Sequence, residues 1–212
     1  MSEFAQHLES KGHRVCYLTL DDTQQYQDLT ELLKALTSKY SSESFTFQRP
    51  DEYRLREQLC GMSNQLGLPV YEADTEHFLL PFDELPNHFK ADTHVRMENF
   101  YRFMRKRFSI LMNGLKPEGD AWNFDANNRK SFKKTDLKLI PKPLVFDNPA
   151  EDYLQRIKNH KIKTIGDESV NISYPINREQ SLVLLDFFCT HQLPNFGNFQ
   201  DAMTVASPYA WS

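Results

Sequence analysis

The feature that most restricts the fold is a repeated switch between two hydrophobic periods in the first third of the chain. Residues 3–11 set Phe4, Ala5 and Leu8 on one face of a short helix, and Gly12 follows where a helix C′ position needs a residue free to take positive φ. VCYLTL (15–20) has the length and composition of a buried strand. Tyr26, Leu29, Leu32, Leu33 and Leu36 return to helical spacing, and FTF (45–47) returns to a strand. Pro50 opens a further helix through Gln65 that stops at Gly67, and PVYEA (69–73) supplies a third strand. Strands that alternate with helices across short connections predict a parallel sheet, because parallel neighbours need a crossover rather than a tight turn. The expected class is therefore α/β, with a Rossmann-like parallel sheet.

The rest of the chain departs from this rhythm. Residues 96–112 predict one strong helix, with Met97, Phe100, Tyr101, Met104, Phe108 and Leu111 as an apolar stripe and Arg102, Arg105, Lys106 and Arg107 on the other side. Such a stripe reads as core packing rather than a cofactor contact. Periodicity disappears over 113–147, which contains Pro117, Pro141 and Pro143, and a connection this long is a linker or carries function. A helix is expected over 148–160. Asn177 and Gln180 form a capping-box pattern ahead of LVLLDFFC (182–189), which is apolar on nearly all sides and so expected to be buried, with Pro194 ending it. The expected domains are an α/β region over 1–112, a basic irregular linker over 113–147 and the first part of a helical region over 148–212. The chain opens on a helix, whereas an open α/β sheet places its first ligand loop after a first strand, so a missing upstream strand is expected.

Composition removes several function classes. A hydrophobic content of 40%, with 13% aromatic, suffices for a core. No apolar run nears the roughly 20 residues of a membrane span, and the polar first residues do not form a signal peptide, which predicts a cytoplasmic protein. Cys16, Cys60 and Cys189 are too few and too scattered for a disulfide framework, a zinc site or an iron–sulfur site, and no metal site is expected. The seven histidines form no HxxxH or HxH pair, and neither a glycine-rich phosphate loop nor a nucleophile–base arrangement is present. Asp21, Asp22, Glu72 and Asp74 follow or end strands, where α/β sheets place ligands, but capping and turn roles are the ordinary reading.

Charge is more informative. The net value is −4, yet residues 96–163 hold 16 of the 25 lysines and arginines and 8 of the 29 acidic residues, a local +8 against −12 for the remainder. Clustered cations suit a polyanion, though a solvated face with a charged linker is the ordinary reading. Inside this span lies GDAWNFDANNRKSF (119–132), a loop that pairs Trp122 and Phe124 with turn-forming Asn123, Asp125 and Asn128. Arg129, Lys130, Lys133 and Lys134 follow as candidate phosphate contacts. Physical chemistry leaves a structural clamp and a ligand-facing loop both open.

The stretch MRKRFSILMNGLKPEGDAWNFDANNRK (104–130) resembles the linker signature of the prokaryotic iron–sulfur photolyase/cryptochrome family, the photolyase-related proteins. Lys116, Pro117, Gly119, Trp122, Asn123, Phe124, Asp125, Asn128 and Arg129 match it, with Asp120 in place of a second glycine. NREQSLVLLDFFCTHQLPNFGNFQDAM (177–203) is similar to a second family block, with Phe199 in place of a tyrosine, and FAQHLESKGHRVCYLTLDD (4–22) to a third. The resemblance implies a light-driven flavoprotein that binds FAD in a helical domain and repairs damaged DNA, typically the (6-4) lesion, or serves as a blue-light photoreceptor. It also implies a 4Fe-4S cluster and a ribityllumazine antenna in full-length members; for this chain a monomer without membrane contact is expected. Carried over residue by residue, Phe199, Gln200 and Ser212 fall at the edge of the FAD site, and no catalytic residue is carried over. The antenna strand, most of the flavin cradle and the four cluster cysteines have no counterpart here, so the expectation is an internal portion of such a protein, inactive by itself. A standalone α/β nucleic-acid-binding module is the reading from a different class.

Overall fold

The computed structural model describes residues 1–205 and 207, and the chain divides into two compact units, Met1–Asp21 with residues 121 onward, and Asp22–Asp120. The chain opens with α1 (Ser2–Ser10), which buries Ala5 and ends at Lys11, with Gly12 at φ +86° as its position demands. Residues 14–19 then run without regular structure into the helical turn α2 (Leu20–Thr23). The strand expected over 15–20 is thus absent. An apolar run becomes a strand only beside a ladder partner, and here its last residue, Leu20, joins the helical turn of Asp21, Asp22 and Thr23 while Tyr17 stays exposed.

In the unit Asp22–Asp120, α3 (Leu29–Lys39) starts at Asp28, whose carboxylate accepts from the Glu31 N–H at 2.9 Å, and Glu31 in return accepts from the Gln27 N–H at 2.7 Å. The two expected strands follow as β1 (Phe45–Gln48) and β2 (Val70–Ala73), paired in parallel with Phe45 opposite Val70 and Gln48 opposite Ala73. The crossover between them is α4 (Tyr53–Cys60) and α5 (Met62–Leu66), broken at Gly61 rather than continuous to Gln65, and closed by Gly67 at φ +67°. Their inner faces make the core: Phe47, Leu59 and the fully buried Met62, packed by Leu29, Leu33, Phe45, Leu66 and Val70. The architecture is mixed α/β with a small parallel two-stranded sheet and several helices.

Beyond the short helix α6 (Leu85–His88) comes α7 (Met97–Phe108), then a two-residue hairpin of β3 (Met112–Asn113) and β4 (Lys116–Pro117). The two faces of α7 do not behave as the pattern predicts. Met97 and Tyr101 on the apolar stripe are exposed, whereas Arg105, expected toward solvent, is only 6% exposed. Arg105 Nε donates to the Ile110 carbonyl at 3.1 Å and Nη2 to the Leu111 carbonyl, supporting a chain reversal in which Ser109 and Leu111 both hold positive φ.

In the other unit, α8 (Lys134–Leu137) interrupts the irregular stretch, and β5 (Asn148–Pro149) pairs antiparallel with β6 (Asn171–Ile172) around α9 (Glu151–Asn159). Asn148, 5% exposed, donates to the Ile172 and Tyr174 carbonyls and accepts from Gln180 Nε2 at 2.7 Å. The predicted cap of α10 (Arg178–Phe187) is present, with Asn177 accepting from the Gln180 N–H at 2.9 Å. Two expectations fail here. Leu182, Val183 and Leu185 are about half exposed, not buried. Pro194 does not terminate the path either: it lies in the first turn of α11 (Leu193–Phe199), reached through a π-helical turn at Phe188–Gln192. A proline cannot donate to the carbonyl four residues back, and the widened turn lets the helical direction continue despite it.

Candidate functional site

The loop singled out in the sequence folds as a 3-10 turn at Asp125–Asn127, closed by N–H bonds from Asn127 to Phe124 and from Asn128 to Asp125. From there the chain meets the end of α11 at three points. Asn128 Nδ2 donates to Gln200 Oε1 at 3.1 Å, the Lys130 N–H donates to the Asn198 carbonyl at 3.2 Å, and the Phe132 ring stacks on Phe199 at 5.0 Å and 17°. Residues about seventy positions apart are thereby joined, and they include members of two separately derived sets, Asn128 with Phe199 and Gln200. Trp122 is half-buried, Asn123 and Asp125 are exposed, and Phe124 is 51% exposed. Ser212 lies outside the described residues. Phe132 carried no motif; only its aromatic character between basic residues could have drawn attention to it.

The side chains of Arg129, Lys130, Lys133 and Lys134 project from this braced segment, all exposed and, among the described residues, without an ion-pair partner. Elsewhere part of the basic span is answered internally. Arg102 pairs with Glu98, Arg107 grips Glu84 with a 2.8 Å bond from Nη2, Lys158 pairs with Glu168 at 2.6 Å, and Arg105 serves carbonyls. The Arg107 bond holds the Glu84 carboxyl below the usual glutamate range. Asp21, a candidate ligand from its place after the first apolar run, instead ties to α9. It accepts from Arg156 Nε at 2.8 Å and meets His160 Nε2 at 2.6 Å, and the His160 bond and then the Arg156 bond lower its carboxyl. The loop-derived segment thus carries four cations that face water within six positions, while Arg96, Lys116, Lys138, Lys142, Lys161 and Lys163 are exposed at scattered positions of the same span.

A second arrangement lies inside the unit Asp22–Asp120, at the carboxyl ends of β1 and β2. Arg49 directly follows β1 and Glu72 lies in β2, so the parallel register brings them to one edge. Glu72 accepts from Arg56 Nε at 2.8 Å and Nη2 at 3.1 Å, from Arg49 Nη1 at 3.4 Å and from the Cys60 thiol at 3.4 Å. The Arg56 bond, chief among these, depresses its carboxyl. The Arg49 guanidinium lies 3.6 Å above the Phe82 ring, and Asp74 fixes the following loop by accepting from the Thr75 and Phe82 N–H groups. Together with Phe78, Pro81 and Phe108 they border an open cleft of about 820 Å³. The sequence placed Glu72 and Asp74 at strand ends but gave no sign of Arg49 or Arg56 as partners.

Among the described residues, no three His, Cys, Asp or Glu side chains converge as a metal site, and no helix is long and apolar enough to cross a membrane. A family model and one of two relatives point to the same family. A family model described as deoxyribodipyrimidine photo-lyase-related protein matches residues 1–171. A (6-4) photolyase of Agrobacterium fabrum is 31% identical over 210 residues, covering 98% of this chain and 41% of that protein. An uncharacterized protein of Acanthamoeba polyphaga mimivirus is 26% identical over 136 residues, 62% of this chain and 67% of that one. The chain therefore spans about two-fifths of the length of the photolyase it matches.

Proposed function

The chain belongs to the deoxyribodipyrimidine photo-lyase-related family, and on that premise we propose that it is a portion of a flavin-dependent, light-driven DNA repair protein of the (6-4) type. The similarity to the photolyase over 98% of this chain carries the reading. In it, residues 1–112 correspond to an antenna-type α/β domain, 113–147 to the linker and 148–212 to the first helices of a flavin-type domain. The parallel pair of β1 and β2 with its helical crossover supports the first assignment. The bond from Asn128 to Gln200 supports the second and third, because it joins the linker signature to the helix end that the family resemblance puts beside FAD. The protein works in a reducing, cytoplasmic setting with damaged DNA as its partner.

The donor sets support a reading of what this chain holds by itself. An iron–sulfur cluster needs converging thiolates, and the three exposed cysteines do not converge, so the described residues do not fit that group. For FAD, the carried-over Phe199 stacks on Phe132 and Gln200 accepts from Asn128, which supports a place at the boundary of a flavin site and not a cradle. A bound flavin supplies the photochemistry; the residues of this chain orient the helix end beside it. The chain alone therefore neither repairs DNA nor retains flavin at full occupancy. Incubating the purified chain with FAD, removing free flavin and recording the flavin absorption bands tests this. Little retained absorbance is expected; one flavin per chain overturns the partial-site reading.

The exposed quartet Arg129, Lys130, Lys133 and Lys134 supports a related role independent of flavin, as a nucleic-acid-facing surface.

A further inference from the structure

We infer that residues 128–132 act as a brace, positioning the phosphate-facing cations against the end of α11, so that holding nucleic acid and ordering Phe199 and Gln200 are one coupled event. The inference rests on the nucleic-acid-facing role proposed above and goes beyond it by naming the residues that transmit the coupling. Its basis is an alternation along one short segment. Asn128, the backbone of Lys130 and Phe132 turn toward α11, while the side chains of Arg129, Lys130 and Lys133 face water. Neither face is accidental in its chemistry. The inward one supplies a side-chain amide bond, a backbone bond and a ring stack to three successive residues, Asn198, Phe199 and Gln200. The outward one supplies cations with no carboxylate partner among the described residues, unlike Arg102, Arg107, Arg156 and Lys158.

Cations on a loose loop bind phosphates only after the loop is ordered, and that entropy is subtracted from affinity. A segment braced at three points pays less of it, in proportion to how fully the brace is closed before binding. By linkage, a polyanion that selects the ordered segment must tighten the brace, and with it the residues at the end of α11. Asn128 and Phe132 are positioning residues in this scheme and touch no phosphate themselves.

The test uses the full chain and a short fluorescein-labelled DNA duplex, titrated at several salt concentrations. Arg129→Ala with Lys133→Ala removes two cations and lowers the log–log salt slope by about 1.8. Asn128→Ala with Phe132→Ala leaves every charge in place; the expected result is about three- to tenfold weaker binding with the slope unchanged. Combining the two pairs gives the decisive quantity. Coupling predicts that removing the cations costs less affinity once the brace is broken, whereas additive losses overturn the inference and leave the nucleic-acid role intact. Absence of salt-dependent binding by the unaltered chain overturns both. Hydrogen exchange adds an independent readout: duplex slows exchange across 193–200 in the unaltered chain and not in the Asn128→Ala variant, a single half-buried change that spares the ring stack. Equal slowing in both overturns the coupling.

Discussion

Glu72 shows how much chemistry one residue can gather without any local signature. Its carboxylate receives Arg49 from the adjacent strand end, Arg56 from α4 and the Cys60 thiol, while its own side chain is 21% exposed. The local sequence, VYEAD, predicts only a strand end, because the partners lie 16 and 23 residues away and arrive through the parallel register. Hydrogen bonding from Arg56 lowers the folded-state pKa of Glu72, with burial opposing it. A depressed carboxyl contributes stability that is complete above the ordinary glutamate range near about pH 4.3 and disappears as pH falls through the lower folded value. Glu72→Gln should therefore lower the thermal midpoint by about 5 °C at pH 7. The same substitution should narrow the difference from the unaltered chain as the pH is taken below about 4. Thermal melts of both proteins across pH 3–7 check this, and a gap independent of pH would show that the ion pairs do not set the stability of that edge.

Elements were legible where a single residue type has one physical job. Glycine at a helix end is such a case, as Gly12 and Gly67 show, and so are the caps at Asn177 and the strands at 45–48 and 70–73. Legibility failed where an element depends on a neighbour that the pattern cannot see. The 15–20 run has strand composition but no ladder, and the apolar α10 has the composition of a core helix while Leu182, Val183 and Leu185 face outward. Arg105 failed for a different reason: helical periodicity assigns a face, and a guanidinium that reaches two carbonyls past the helix end escapes the rule. The crossover offers a clean comparison of the two kinds of interaction. Met62→Ala empties the most buried side-chain position and should cost about 2–5 kcal/mol. Gly67→Ala should cost only about 1–2 kcal/mol, since an added Cβ meets nothing within 4 Å and the penalty is confined to the left-handed backbone. Urea denaturation followed by amide exchange in β1 and β2 ranks the two; an equal or reversed order would mean that backbone strain, not packing, limits this core.

Across the whole molecule the sequence revealed a sum of charge, and folding changed what that sum means. The local +8 over 96–163 counted every lysine and arginine alike. Arg102, Arg107, Arg156 and Lys158 are answered by Glu98, Glu84, Asp21 and Glu168, so the counterions they would otherwise recruit are partly replaced by carboxylates of the same chain. The unanswered cations of residues 129–134 are available to neutralise phosphates, and a polyanion that meets them gains by releasing the counterions condensed on it. Position, rather than net charge, should then control binding. Replacing Arg129, Lys130, Lys133 and Lys134 by alanine should sharply lower the salt concentration at which the chain elutes from a heparin column. Replacing Lys158 by alanine together with Arg107 and Arg156 changes net charge by a comparable amount; it should leave elution nearly unchanged and reduce thermal stability instead, because Glu168, Glu84 and Asp21 lose their partners. Matching shifts for the two sets would mean that the chain meets polyanions through its overall field, and that the segment beside α11 has no special part in it.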